Sequence, residues 1–272
     1  MTEASKEVAV VTGAASGIGL ALATAFGNQG KRVLLADLDA ATLGAAQQRL
    51  SDQGIEAFSA TLDVRDQVAG EDLAQQACEL GTLAAVCCNA GVTSTGTNVW
   101  ETPDSIFDFV FGVNFHGLVN CVRAFTPRLI AQAAPSTVVV TASMAGLVTS
   151  PGSGAYAASK AAAIAVTKSL RRELAATAPH VGVVLLNPGM VKTNLMHTSA
   201  TQQPGAIQSE FVEASHGNLN ELGVEPGVAA AWVLDAIDGG RFWAFPPSED
   251  MFSSMFASEL DEMAGAIRGP AA

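Results

Sequence analysis

Basic charge is scarce in this chain: 14 Lys and Arg stand against 26 Asp and Glu, a net charge of −12. No stretch gathers the Lys and Arg into a stripe that could neutralise a phosphate backbone, so neither nucleic acid nor an anionic membrane is an expected partner. Charge of either sign is sparse at 15%, while apolar residues make up 49%. That balance rules out disorder as the main state and supplies a sizeable core, with apolar surface left over for a subunit interface. The four cysteines, Cys78, Cys87, Cys88 and Cys121, form no C-x-x-C pair, and neither they nor His116, His180, His197 and His216 show metal-ligand spacing. Buried thiols in a reducing compartment are expected, and no metal. No uninterrupted run of about 18 apolar residues occurs, and the polar opening MTEASKE carries no cleavable hydrophobic stretch. A cytoplasmic location is expected. Tyrosine is almost missing, since Tyr156 is the only one in 272 residues.

Short β-branched runs alternate with longer Ala-rich stretches, the pattern of parallel strands joined by helical crossovers. The expected strands are Val8–Thr12, Arg32–Asp37, Ile55–Leu62, Leu83–Asn89, Thr137–Ser143, Val181–Asn187 and Arg241–Phe245. They read as continuous apolar runs because both faces of such a sheet are covered. The expected helices are Gly17–Gln29, Ala40–Gln53, Gln67–Leu80, Asp104–Gln132, Gly154–Ala176 and Pro226–Ile237. No repeat or linker divides them, which predicts a single α/β domain over residues 1–272: a doubly wound sheet of seven mainly parallel strands with helices on both faces. From Met190 to about Asn220 the chain is polar and weakly periodic, so a long substrate loop with one short helix near Ser209–Ala214 is expected. The tail at about 248–268 places Met251, Phe252, Met255, Phe256 and Leu260 near one another at helical spacing. It could cap a pocket, pack on the core or meet a neighbouring subunit.

Directly after the first expected strand stands TGAASGIG, Thr12 to Gly19, followed by an apolar helix. Gly13 suits a tight turn, Gly17 lets backbone approach a pyrophosphate, and Gly19 lets helix and strand pack closely, while the helix N-terminus offers unpaired N–H groups to the anion. Ser16 and Ile18 complete this expected cofactor contact. Asp37 closes the second strand, 18 residues beyond Gly19, where a ribose-binding acid belongs. A carboxylate there accepts from both ribose hydroxyls but repels a 2′-phosphate, and neither Ser16 nor Leu38 is basic. The expected cofactor is NAD. Asp39, just before Ala40, is the better helix cap.

The glycine spacing G-x-x-x-G-x-G, taken with the segments below, resembles the short-chain dehydrogenases/reductases over nearly the whole chain. The resemblance implies a Rossmann-like fold, hydride transfer to or from a nicotinamide cofactor, and a homo-oligomer, a tetramer or dimer. It implies adenine-edge and strand-end roles for Asp63, Val64, Asn89, Ala90 and Gly91, with ordinary turn chemistry sufficient to explain Asn89. Pro188 and Gly189 turn the chain after the sixth strand, and Val191 and Thr193 match positions that contact the nicotinamide carboxamide.

In YAASK, Tyr156 and Lys160 project from one helical face. Removing an alcohol proton needs a base, and a free phenol is mostly protonated at pH 7. Lowering its pKa by about 2–3 units takes roughly 3–4 kcal/mol; a cation about 4.5 Å away at an effective dielectric near 20 supplies about 3.7 kcal/mol. Lys160 is therefore expected to activate Tyr156, and both are expected to touch the cofactor. The resemblance adds Ser143 as the residue that orients the substrate oxygen, and Asn114 as the one that distorts its helix and holds a proton-relay water. Ala145, Val148, Pro151, Ser153, Met190, Met196 and Phe211 are expected around Ser143 and Tyr156. These uncharged residues suit a neutral, hydrophobic alcohol or ketone, and the tail resembles a subgroup of the family whose members act on secondary alcohols, which implies a cyclic, aryl or terpenoid-like secondary alcohol or its ketone. Two alternatives stay open on the same fold, a 3-oxoacyl thioester reductase and a non-catalytic dinucleotide sensor.

Overall fold

The computed structural model describes residues 6–94, 96–205, 209–247 and 251–268. Seven strands build one sheet: β1 Glu7–Thr12, β2 Arg32–Asp37, β3 Ala57–Thr61, β4 Thr82–Cys88, β5 Ser136–Thr141, β6 Val181–Leu186 and β7 Trp243–Ala244. Their spatial order is β3-β2-β1-β4-β5-β6-β7, and every neighbouring pair is parallel. The chain starts mid-sheet, winds outward to β3, then returns to build the other half from β4. That reversal opens a crevice at the carboxyl ends of β1 and β4, where such sheets bind ligands. β3 is shorter than expected because the Ile55 N–H bonds to Leu50 O and so belongs to the end of the preceding helix. Of the expected Arg241–Phe245 strand, only Trp243–Ala244 is strand.

The helices are α1 Gly17–Asn28, α2 Ala40–Asp52, α3 Gln67–Leu80, α4 Asp104–Phe111, α5 Gly117–Gln132, α6 Gly154–Thr177, α7 Leu195–Gln202, α8 Ser209–Leu222, α9 Pro226–Asp238 and α10 Met251–Arg268. Strand residues alternate between two cores, as a period of two requires. Val8, Val10, Val138 and Val140 meet Leu73, Phe125 and Leu174 of α3, α5 and α6 on one face. Ala9, Val11, Val33 and Leu35 meet Leu22, Leu50 and Val233 of α1, α2 and α9 on the other. Burial on both faces is why the strands carry no polar alternation. Cys87, Cys88 and Cys121 are buried as expected, but Cys78 is exposed.

The structure breaks the expected helix Asp104–Gln132 with a π turn over Gly112–His116. By length and mean hydropathy this stretch could cross a membrane, yet half of its most apolar window is buried inside the protein. Its apolar character is that of a core helix. The expected loop from Met190 to Asn220 holds the helix expected near Ser209–Ala214, which as α8 runs on to Leu222, and a further, unexpected helix, α7; residues 206–208 within it lie outside the described residues. α7 is eight residues long and has no side-chain cap at Asn194, so tertiary contacts rather than local signals stabilise it. The tail forms α10, which lies against the turn Met144–Gly146, with Met251, Met255, Leu260 and Met263 exposed; residues 248–250 of the expected tail lie outside the described residues.

Phe125 is among the largest fully buried side chains and packs between α5 and the sheet. Replacing it with Ala should cost about 3–5 kcal/mol, read as a lower urea midpoint with nicotinamide-dinucleotide affinity measured alongside at low denaturant.

Candidate active site

At the carboxyl edge of the sheet, a cleft of about 800 Å³ runs from α2 across the ends of β1 and β4 to α6 and α7. Every residue expected to touch the cofactor lines it. β1 turns through Gly13 at φ +63°, and Gly17 follows at φ +53°, a left-handed region costly for residues with a Cβ. Gly19 is required for a different reason, since a Cβ there would stand 2.0 Å from Gly13 O. Asp39 caps α2 through the N–H groups of Ala41 and Thr42, and Asp66 caps α3 through those of Val68 and Ala69, whereas Ser16 at the head of α1 makes no such side-chain bond. The first turn of α1 thus presents its N–H groups to the cleft, as a bound pyrophosphate requires.

Asp37 serves the same turn. Its Oδ2 accepts from the Ala15 N–H at 2.9 Å and its Oδ1 from the Leu38 N–H at 2.8 Å, while the carboxylate still borders the cleft. Asp63 is gripped by Arg65 through two-pronged hydrogen bonds, the shortest 2.6 Å. The guanidinium holds the Asp63 carboxyl below its usual range. Arg65 and Arg49 also line the cleft; sequence reasoning passed over both, because neither sits in a motif.

Asn89 binds strand ends together: its Nδ2 donates to Thr12 O and Gly13 O, and its Oδ1 accepts from Thr141 Oγ1. Lys160 is buried, and its Nζ donates to Thr141 O at 3.0 Å and lies 5.7 Å from the centre of the Tyr156 ring. The Tyr156 phenol shares a hydrogen bond with the Ser143 side chain, and Ser143 Oγ accepts from the Ala145 N–H at 3.1 Å. Asn114 sits in the π turn behind the cleft wall. Its Oδ1 accepts from the Val92 N–H at 2.8 Å, and its Nδ2 donates to Val92 O and Ser159 Oγ, both at 2.9 Å. A Cβ on Gly91 would come within 3.2 Å of both Asn114 Oδ1 and Lys160 Nζ, so glycine there lets these two groups share one wall.

A short chain dehydrogenase family model matches residues 7–204. The chain belongs to the short chain dehydrogenase family. It is 38% identical over 243 residues to the 1-deoxy-11-beta-hydroxypentalenate dehydrogenase of Streptomyces exfoliatus, covering 89% of this chain and 83% of the relative. It is 30% identical to a C alpha-dehydrogenase of a Sphingobium species, covering 92% of this chain and 83% of the relative. A crystal structure of a short chain dehydrogenase/reductase from Burkholderia phymatum in complex with NAD is 29% identical and superposes with a TM-score of 0.87 over 100% of this chain and 99% of that one. The chain is thus an oxidoreductase of this family, whose cofactor is a nicotinamide dinucleotide, and the glycine cradle and uncapped α1 fit that cofactor.

Two expectations for this short-chain dehydrogenase need correction. As folded, burial pushes the Tyr156 phenol up rather than down, and the bond to Ser143, not the charge of Lys160, is the chief opposing influence. Burial also lowers Lys160 from 10.5 to about 8, because both charged forms lose water in the same enclosure. The second correction concerns the substrate wall, of which Ser143 alone lines the cleft. Pro151 is exposed, Ser153 is engaged with Ser150 O, Met196 and Val148 are buried, Met190 O accepts from Val224 N–H, Phe211 lies over Gly96, and the Ala145 N–H donates to Ser143 Oγ. With 195–222 largely helical, Leu195, Thr198, Gln202 and Leu219 face the cleft instead, joined by Phe109 and Val113.

Gly19→Ala should abolish detectable NADH binding in a fluorescence titration, since backbone at 2.0 Å cannot yield without moving the turn. For Lys160 the lowered folded pKa means that the burial cost is fully present below about pH 8 and is relieved as pH rises towards 10.5. Lys160→Met should therefore raise unfolding stability at pH 7, by on the order of 3 kcal/mol at most, with the advantage fading by pH 10. A variant less stable than the parent at pH 7 would contradict this account.

Proposed function

We propose that this chain is an NAD-dependent dehydrogenase that interconverts a neutral, hydrophobic secondary alcohol and its ketone, working in the cytoplasm as a homo-oligomer. The observation that carries the reading is the phenol of Tyr156 hydrogen-bonded to Ser143 beside Lys160, at the far end of a cleft headed by a dinucleotide cradle. When bound, NAD supplies the hydride acceptor. Tyr156 takes the hydroxyl proton during oxidation and returns it during reduction. Ser143 donates to the substrate oxygen where negative charge develops. Lys160 holds the nicotinamide ribose, and Asn114 orders the far end of a proton path.

Three observations support the choice of substrate and cofactor. Phe109, Val113, Leu195 and Leu219 are apolar parts of the cleft wall, and such walls bind uncharged ligands by excluding water. The carboxylate of Asp37 at the α2 end disfavours a 2′-phosphate and so favours NAD over NADP. Relatives at 38% identity carry the name of a dehydrogenase for a hydroxylated pentalenate, which supports an alcohol substrate, although that molecule's carboxylate sets it apart from the uncharged alcohol proposed here. The exposed apolar residues of α10 fit a subunit contact.

The test is NAD and NADP reduction across cyclic, aryl and terpenoid alcohols. Tyr156→Phe should lose at least about a thousandfold in kcat while still binding NADH; full turnover in that variant would end the proposal. Ser143→Ala removes the bond that pulls the Tyr156 phenol down, so the acid limb of the kcat profile for alcohol oxidation should move to higher pH. A limb that stays in place or moves to lower pH would show that another group titrates.

A further inference from the structure

We infer that Ser199 is a positioning residue whose buried hydroxyl latches α7 to the segment after β4 and thereby sets the alcohol-side wall of the cleft. The inference rests on the dehydrogenase reading above for its kinetic consequence, but not for its geometry. Beyond the end of β4 at Cys88, backbone groups have no strand partners and must find others. Val92 gives both its N–H and its C=O to the side chain of Asn114. The next amide, Thr93 N–H, donates to Ser199 Oγ at 2.8 Å. Ser199 is fully buried, and its hydroxyl donates onward to Leu195 O at 2.7 Å, in the first turn of α7. One bond enters this hydroxyl and one leaves it, as a buried serine requires.

α7 needs such a latch. At eight residues it is too short to persist alone, and its head lacks a side-chain cap. Leu195, Thr198 and Gln202, neighbours of Ser199 on α7 at helical spacing, line the cleft. α8 rests on the same segment three residues further on, where Phe211 lies so close over Gly96 that a Cβ would come within 2.7 Å of the ring. His197 of α7 and His216 of α8 pack edge to face at 4.2 Å, joining the two helices. On the other side, Asn114 Nδ2 donates to Ser159 Oγ, which donates to Tyr156 O. A single hydrogen-bonded path therefore runs from the backbone of the proposed base to the wall that faces it. Through it, Ser199 holds the wall in register with Tyr156, a second-tier task distinct from touching the substrate.

The full-length chain carrying Ser199→Ala or Ser199→Thr tests this. In Ser199→Ala, hydrogen–deuterium exchange should speed up across residues 195–202 while α5 and α6 keep their protection. KM for the best alcohol should rise by about tenfold with kcat within about threefold, the pattern of lost binding geometry rather than lost chemistry. Ser199→Thr, which keeps the hydroxyl, should bring both readouts most of the way back. Unchanged exchange and KM in Ser199→Ala would overturn the latch, as would faster exchange spread evenly through the sheet, or a folded Ser199→Thr that behaves like Ala. The exchange arm needs no turnover, so a chain that oxidises no alcohol would defeat the functional reading while leaving the latch to be judged on its own.

Discussion

The side-chain amide of Asn89, just beyond β4, clasps the ends of the two strands that flank β4 in the sheet. Its nitrogen holds the carbonyls of Thr12 and Gly13, and its oxygen receives the hydroxyl of Thr141. Parallel strands finish at one edge of the sheet, where their last polar groups outrun the ladder and need partners from outside it. One asparagine meets that need for β1, where the glycine turn begins, and for β5, whose Thr141 carbonyl receives Lys160. The strand pairing through β4 spaces the glycine turn from the lysine, and this planar amide locks the two strand ends at that spacing. That rigidity matters for a reaction in which donor and acceptor atoms must be held within a fraction of an ångström.

Around this clasp the site accumulates electrostatic cost. Lys160 and Tyr156 share an enclosure that disfavours the charged form of each, and the fold retains both despite the penalty. Active sites commonly carry groups that stability alone would discard, because a desolvated pair responds strongly to any charge brought near it. Within the chain itself, Ser143 makes the hydrogen bond that favours the phenolate. The lysine, kept at 5.7 Å from the ring, is positioned to act on whatever lies between.

Legibility in the sequence follows the range of the interaction. The glycine turn, the paired Tyr156 and Lys160, and the apolar strands could be read because each depends on neighbours a few residues away: a positive φ, a helical repeat, burial on both faces. Helices α1, α2, α3 and α9 begin as expected, with Asp39 capping α2 and proline opening α9. The helix distortion at Asn114 is expected only through the family resemblance, not from local pattern, since the π turn at Gly112–His116 goes with the grip of Asn114 on Val92, 22 residues away. α7 was hidden, because its anchor is a backbone amide 106 residues earlier in the chain. A polar octapeptide without caps gives no local sign of helix.

Residue type and spacing alone thus determined the family of chemistry: a phosphate-binding turn, an acid at the end of β2, and a phenol one helical turn from an ammonium. These need only local backbone geometry, which the sequence carries in its glycines and its periodicity. Tertiary structure alone decided which side chains line the cleft beside the phenol and which way burial shifts its titration. Both depend on packing between segments far apart in the chain, and on the loss of water that packing brings, and no short window of sequence records either.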